Sequence, residues 1–278
     1  VAIADNPEAP AIDNTLAALE LAGQALSRVS AIFWLRAGAH TNDLIQKVER
    51  DIAPKMSRHY SAISMNPKLF AKIDALYQRR DTLGLDPETA RVLELTWKGF
   101  VRSGAKLDDA GKARLAKVNE ELASLGARFG QNVLADERDW THLLDGKDVA
   151  GLPEFLTSAM AQSAEARGEK GRFAITLSRS IYEPFTTFSD RRDLREIAFR
   201  AFINRGQNGG ATDNGGVVAA TLRLRAEKAK LLGYDSYAAL KLDLTMAKTP
   251  AAVFDLLNPV WERAREKAAE DQVELQGL

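Results

Sequence analysis

Between Asp109 and Arg138 the apolar residues Leu115, Val118, Leu122, Leu125, Phe129 and Val133 alternate three and four apart. Only a helix keeps such a set on one face. At 1.5 Å per residue, a helix over 109–138 is roughly 45 Å long. A rod of that length outruns a compact small domain, so other long helices must cover it. The pattern therefore predicts an elongated, mainly α, multi-helix domain.

The remaining periodicities agree. A helix opens near Asn14, carries Leu16, Leu19, Leu26 and Val29, continues through Phe33, Trp34 and Leu35, and is broken by Gly38. Thr41 or Asn42 caps the next, which bears Leu44, Ile45, Val48 and Ile52. Pro54 should bend or end it, because proline lacks a donor and crowds the previous turn. Asn66-Pro67 and Asp86-Pro87 each join a capping side chain to a proline at the first helical position. They start helices bearing Leu69, Phe70, Ile73, Leu76 and Tyr77, then Val92, Leu93 and Trp97. Helix returns over 191–205, with Leu194, Ile197, Ala198 and Phe202 inward.

Toward the C-terminus, Leu222, Ala226, Ala229 and Leu232 form an apolar stripe that runs up to Gly233, a left-handed C-cap. Asp235 or Ser236 then caps a helix starting at Tyr237. Thr249-Pro250 opens a last helix carrying Val253, Leu256, Leu257, Val260, Trp261, Ala264 and Ala268, with a kink expected at Pro259. Its periodicity runs toward Leu278 with only Gly277 as a stop, so the chain reads as a piece of a longer polypeptide.

Strand signals are confined to Trp140–Leu144 and Phe173–Leu177, which can pair across a short helix starting near Leu152-Pro153. At most a short two-stranded β element follows. The glycine- and asparagine-rich stretch 206–216 reads as a flexible surface connector, and as a candidate sub-boundary in one helical domain over 1–278.

Composition removes several function classes. Lysine plus arginine equals aspartate plus glutamate at 38 each, which gives no long-range pull toward nucleic acid or an acidic membrane. The chain has no cysteine, so disulfides, thiolate metal sites and a cysteine nucleophile are excluded. No unbroken apolar run approaches the roughly 20 residues that span a bilayer, and the N-terminus lacks a signal pattern. Neither a nucleic-acid nor a membrane partner is expected, and the location expected is cytoplasmic.

The residue types that carry chemistry are scattered. His40, His59 and His142 lie outside any H-E-x-x-H and share no zinc-binding helical spacing. The loop 210–216 (GATDNGG) lacks the lysine and hydroxyl of a phosphate loop and the acidic ligands of a calcium loop. Arg191, Arg192, Arg195, Arg200 and Arg205 alternate with Asp190, Asp193 and Glu196, as on an ion-paired helix surface. Glu120 and Glu121 point to different sides of their helix. Tyr182, within Ser178–Phe185, is a candidate groove donor that reads more simply as packing. No catalytic, cofactor-binding or metal-ligating residue is expected.

Read together, the segments resemble the M3 family of zinc metallopeptidases in its N-terminal half, above all the bacterial peptidyl-dipeptidases (dipeptidyl carboxypeptidases), with oligopeptidase A nearby. The likeness rests on DNTLAALELAG at 13–23, NPKLFAKIDALYQRRDTLGLD at 66–86, GAKLDD at 104–109, FGQNVLAD at 129–136, LRLRAEKAKLLGYDSYAALKL from Leu222 and LTMAKTP up to Pro250. It implies a neurolysin-like helical lobe that forms one wall of a narrow substrate channel, admitting oligopeptides and excluding folded proteins. It implies one zinc in the full-length parent, held by H-E-x-x-H and a later glutamate in a C-terminal catalytic half. The chain stops before those residues. The resemblance therefore makes that half the partner, puts no cofactor in this fragment and leaves the fragment inactive alone. The competing expectation is a noncatalytic helical interaction module with the same fold.

Overall fold

The computed structural model describes residues 1–277. It is mainly helical with one two-stranded sheet. Short helices α1 (Ala2–Asp5) and α2 (Ala18–Glu20) flank a π-helical turn at Ile12–Ala17. Next come α3 (Gln24–Ala39), α4 (Asp43–Ser64), α5 (Pro67–Gln78), α6 (Pro87–Arg102) and α7 (Asp109–Asp139). Strand β1 (Thr141–Leu144), helix α8 (Glu154–Glu165) and strand β2 (Phe173–Thr176) follow. The chain ends with α9 (Arg179–Phe188), α10 (Arg192–Ile203), α11 (Gly215–Leu231), α12 (Tyr237–Leu242) and α13 (Pro250–Gln276).

The caps explain these starts. Asn66 accepts the N–H of Leu69, Asp86 those of Glu88 and Thr89, Ser236 that of Ala239 and Thr249 that of Ala252. Each satisfies a donor that a helix N-terminus leaves unpaired. Gly233 has φ +79° and ends α11, while the N–H of Tyr234 returns to the carbonyl of Ala229 at 2.9 Å. A side chain on residue 233 would strain that left-handed turn.

The chain forms two compact units and passes between them inside α3, α4, α7 and α11. One comprises 1–28, 56–120 and 222–278. Its core packs Ala4, Leu69, Ile73, Phe100 and Ala105, with a second cluster of Leu16, Leu76 and Leu93. The other comprises 29–55 and 121–221. There β1 and β2 pair antiparallel, Thr141 opposite Thr176 and Leu144 opposite Phe173. Leu144, Leu156, Met160, Ile175, Phe185, Leu194 and Ala198 close the core beneath the sheet.

Several expectations need correction. The first helix is interrupted by a turn at 21–23, where Gly23 takes φ +76°. Of the two outcomes expected at Pro54, an end to the helix is excluded, since α4 runs on to Ser64; Pro259, where a kink is expected, lies inside the continuous α13. On α11 the stripe is rotated from the expected one: Leu222 is 58% exposed, whereas Val217, Leu224 and Ala229 are buried. On α10, Leu194 and Ala198 are buried but Ile197 is exposed. Finally, Ile12–Ala39 reaches a mean hydropathy of 1.2 and is by length and composition apolar enough to cross a bilayer. Scattered charges in that stretch break every run, which is why a search for unbroken apolar sequence passes over it.

Candidate functional site

The C-terminal end of α7 organises the polar structure of the second unit. Asp136 accepts the N–H of Gly206 at 2.7 Å, the Asn208 amide at 2.6 Å and the Thr212 hydroxyl. These donors all come from the loop between α10 and α11. Asp213 accepts the N–H groups of Gly209 and Gly215 at 2.9 and 2.7 Å, which hold its carboxyl below the usual range. Buried Asn214 donates to the carbonyl of Phe129 and accepts from Asn132. Gly206 sits at φ +71°, and a Cβ there would lie 3.2 Å from the Asn214 amide nitrogen. The loop expected to be a flexible connector is thus latched to a helix about 70 positions earlier.

Beside the latch lies a cleft of about 720 Å³, with Trp140, Leu177 and Ile197 on its apolar side and Asp136, Asp139 and Arg205 at its polar edge. Its carboxylates are already engaged. Asp136 holds the loop, Glu137 pairs with Arg205, and Arg138 donates to Asp139 at 2.6 Å and keeps that carboxyl below its ordinary range. The Arg205 guanidinium also lies 3.9 Å from the Phe202 ring centre, a cation–π contact. Such a cleft can hold an apolar group against a hydrogen-bonding edge.

In the first unit, Arg102 joins α6 to the segment containing Tyr234. Its guanidinium donates to the Tyr234 hydroxyl at 3.0 Å, to Asp243 at 2.5 Å and to the carbonyl of Leu240. Tyr234 donates in turn to Asp243 at 2.8 Å. Burial and that acceptor raise the phenol above its usual value. Nearby, Arg114 donates to both oxygens of Glu227, and Lys228 donates to Asn119 at 2.7 Å. The charged face of the LRLRAEKAK segment is therefore partly internal: burial pulls the Lys228 ammonium below its ordinary value.

The histidines stand apart from both networks. His40 follows α3, His59 lies on α4 beside the ring of Tyr60, and His142 is in β1 opposite Ile175. Among the described residues no group of three or more His, Cys, Asp or Glu is placed to hold a metal ion. Tyr182 stacks on Phe202 at 3.8 Å between ring centres. Of the clustered arginines, Arg191 pairs with Asp148 and Asp193, and Arg200 with Glu196. The contacts of Asp136 and Arg102 were not legible in the sequence. Asp136 closes the segment FGQNVLAD, but nothing local in the chain pairs it with the loop.

Comparison with known proteins adds a relationship to this geometry. Residues 185–278 match the model of peptidase family M3. Over all of this chain, identity is 35% to the dipeptidyl carboxypeptidase of Escherichia coli (strain K12) and 36% to that of Salmonella typhimurium. The oligopeptidase A of Haemophilus influenzae is 32% identical over 81% of the chain and 34% of that relative. The chain spans 41% of the length of either dipeptidyl carboxypeptidase.

Proposed function

Because the chain belongs to peptidase family M3, we propose that it is the N-terminal, channel-forming part of a zinc-dependent oligopeptidase that removes C-terminal dipeptides from short peptides. The observation that carries this reading is the identity with two dipeptidyl carboxypeptidases along the whole of this chain but only 41% of theirs. Residues 1–278 then act together as one helical domain, and the stretch 206–216, first read as a sub-boundary, lies inside the second compact unit. The catalytic half of the same polypeptide is its partner and carries the zinc. A metal-bound water does the hydrolysis there, and the parent works in the cytoplasm on oligopeptides.

The division of labour follows from chemistry. In the clefts and networks described above, the carboxylates serve as acceptors for the protein's own arginines, amides and backbone. They stiffen a wall and leave bond cleavage to another part of the molecule. The test is product analysis by mass spectrometry, using an N-blocked hexapeptide. The parent protein is expected to release dipeptides from the C-terminal end, to stop with a chelator and to recover with zinc. This chain alone is expected to leave the peptide intact. Internal cleavage by the parent would remove the dipeptidase assignment, and zinc-dependent turnover by this chain alone would remove the domain assignment.

A further inference from the structure

Helix α10 carries Arg192, Arg195, Glu196, Phe199 and Arg200 on one face, at the spacing i, i+3, i+4, i+7 and i+8. The opposite face buries Leu194 and Ala198 in the core, so these side chains turn outward together. They meet Tyr182 and Thr186 of α9 across a cleft of about 610 Å³. This cleft shares only Arg200 with the one beside Asp136.

The charges around it do not balance. Glu196 is taken by Arg200 at 2.7 Å. The acids at the start of α10 are taken by Arg191, which bridges Asp148 at 2.6 Å and Asp193 at 2.7 Å. Arg179 takes Glu183 at 3.8 Å. Arg195 donates only to a neutral acceptor, the carbonyl of Ser189. Arg192 and Arg195 have no carboxylate partner among the described residues, and Asp190 is the remaining acid in that turn. Both arginines sit in the first turns of α10, where the helix dipole already favours negative charge and disfavours cations. Two guanidiniums that oppose the dipole and lack an acid partner form a local positive site. Half-exposed Phe199 and the stacked ring of Tyr182 supply flat apolar surface beside it.

We infer that the cleft between α9 and α10 is a docking subsite for a carboxylate-bearing peptide segment. The guanidiniums of Arg192 and Arg195 receive side-chain or terminal carboxylates in paired hydrogen bonds, the geometry that arginine favours. Phe199 and Tyr182 then pack against the apolar part of the same segment. That the anion belongs to a peptide rests on the oligopeptidase reading; the charge imbalance does not.

Fluorescence anisotropy on this chain tests the proposal, with a labelled octapeptide of alternating glutamate and glycine and its glutamine counterpart as probes. The acidic peptide should bind at least tenfold more tightly than the neutral one, and the preference should shrink between 50 and about 200 mM salt. R192A/R195A should lose at least tenfold in affinity for the acidic peptide. F199A should lose severalfold with its charges intact, and K147A/K170A, which removes two cations elsewhere, should bind as the parent chain does. Three results overturn the proposal: equal binding of both peptides, equal losses in the arginine and lysine variants, or full displacement by equimolar inorganic phosphate, which marks a small-anion site. Hydrolysis of a neutral peptide by the whole parent enzyme should be unchanged by K147A/K170A. Acidic-peptide binding without any such hydrolysis would count against the oligopeptidase reading and leave the charge argument standing.

Discussion

At Arg102, three acceptors from the Tyr234–Asp243 segment converge on one guanidinium whose side chain is 17% exposed. R102M keeps most of the volume and leaves those acceptors short of a donor. It should cost about 2 kcal/mol in urea unfolding, the scale of hydrogen bonds to charged groups. A double-mutant cycle with D243N should return part of that cost as coupling. Unchanged stability would mean that the network is ornamental to the fold. At Asp193, hydrogen bonds from Arg191 lower the carboxyl from 3.8 to about 2. A group with a depressed folded pKa stabilises above its unfolded pKa and loses that stabilisation as pH falls through the folded value. The loss belongs between pH 3.8 and about 2. D193N should therefore lower stability at neutral pH, flatten acid unfolding in that window and differ little from the parent chain below it, as circular dichroism melts would show.

Among the elements, two glycines separate strain from collision. Gly233 has φ +79° with nothing near its missing Cβ, so G233A should cost about 1 kcal/mol from backbone strain alone. Gly104 has φ +96°, and a Cβ there would lie 2.5 Å from buried Leu115, so G104A should cost distinctly more, about 2–3 kcal/mol. Equal losses in chemical denaturation would contradict that reading of the contact. The latch is tested the same way. D136A removes the acceptor shared by Gly206, Asn208 and Thr212, and should speed amide exchange and proteolysis at 206–216 before it affects the helices.

These elements also show what the chain discloses locally. The starts at Asn66, Asp86, Ser236 and Thr249 were legible because a cap and its donor lie within three residues. The strand pair was legible because β-rich runs are scarce in this sequence. The face of α11 was not, because Leu222 and Leu224 fit a helical stripe equally well and only the neighbours decide which is covered. Whether Pro54 bends its helix or ends it was not decided locally, because a packed helix can tolerate one lost backbone bond. The Asp136 latch and the Arg102 clamp join positions about 70 and about 140 residues apart, beyond the reach of any periodicity.

For the whole molecule, the apolar surface left uncovered is the chief physical fact. Helix α13 buries no residue, and Phe254, Leu256, Leu257, Val260 and Trp261 are each at least half exposed. A helix apolar on most of its circumference is normally covered. The chain should therefore self-associate, with weight-average mass rising with concentration in sedimentation equilibrium, and W261E together with L257E should reduce that association. A strictly monomeric species at high concentration would contradict this.

The central claim is that this chain is the N-terminal part of a zinc peptidase. The most direct test is to sequence its coding region onward from the codon for Leu278. The account predicts one open frame that continues into H-E-x-x-H and a later glutamate. A stop codon there, or a continuation without that motif, would contradict it.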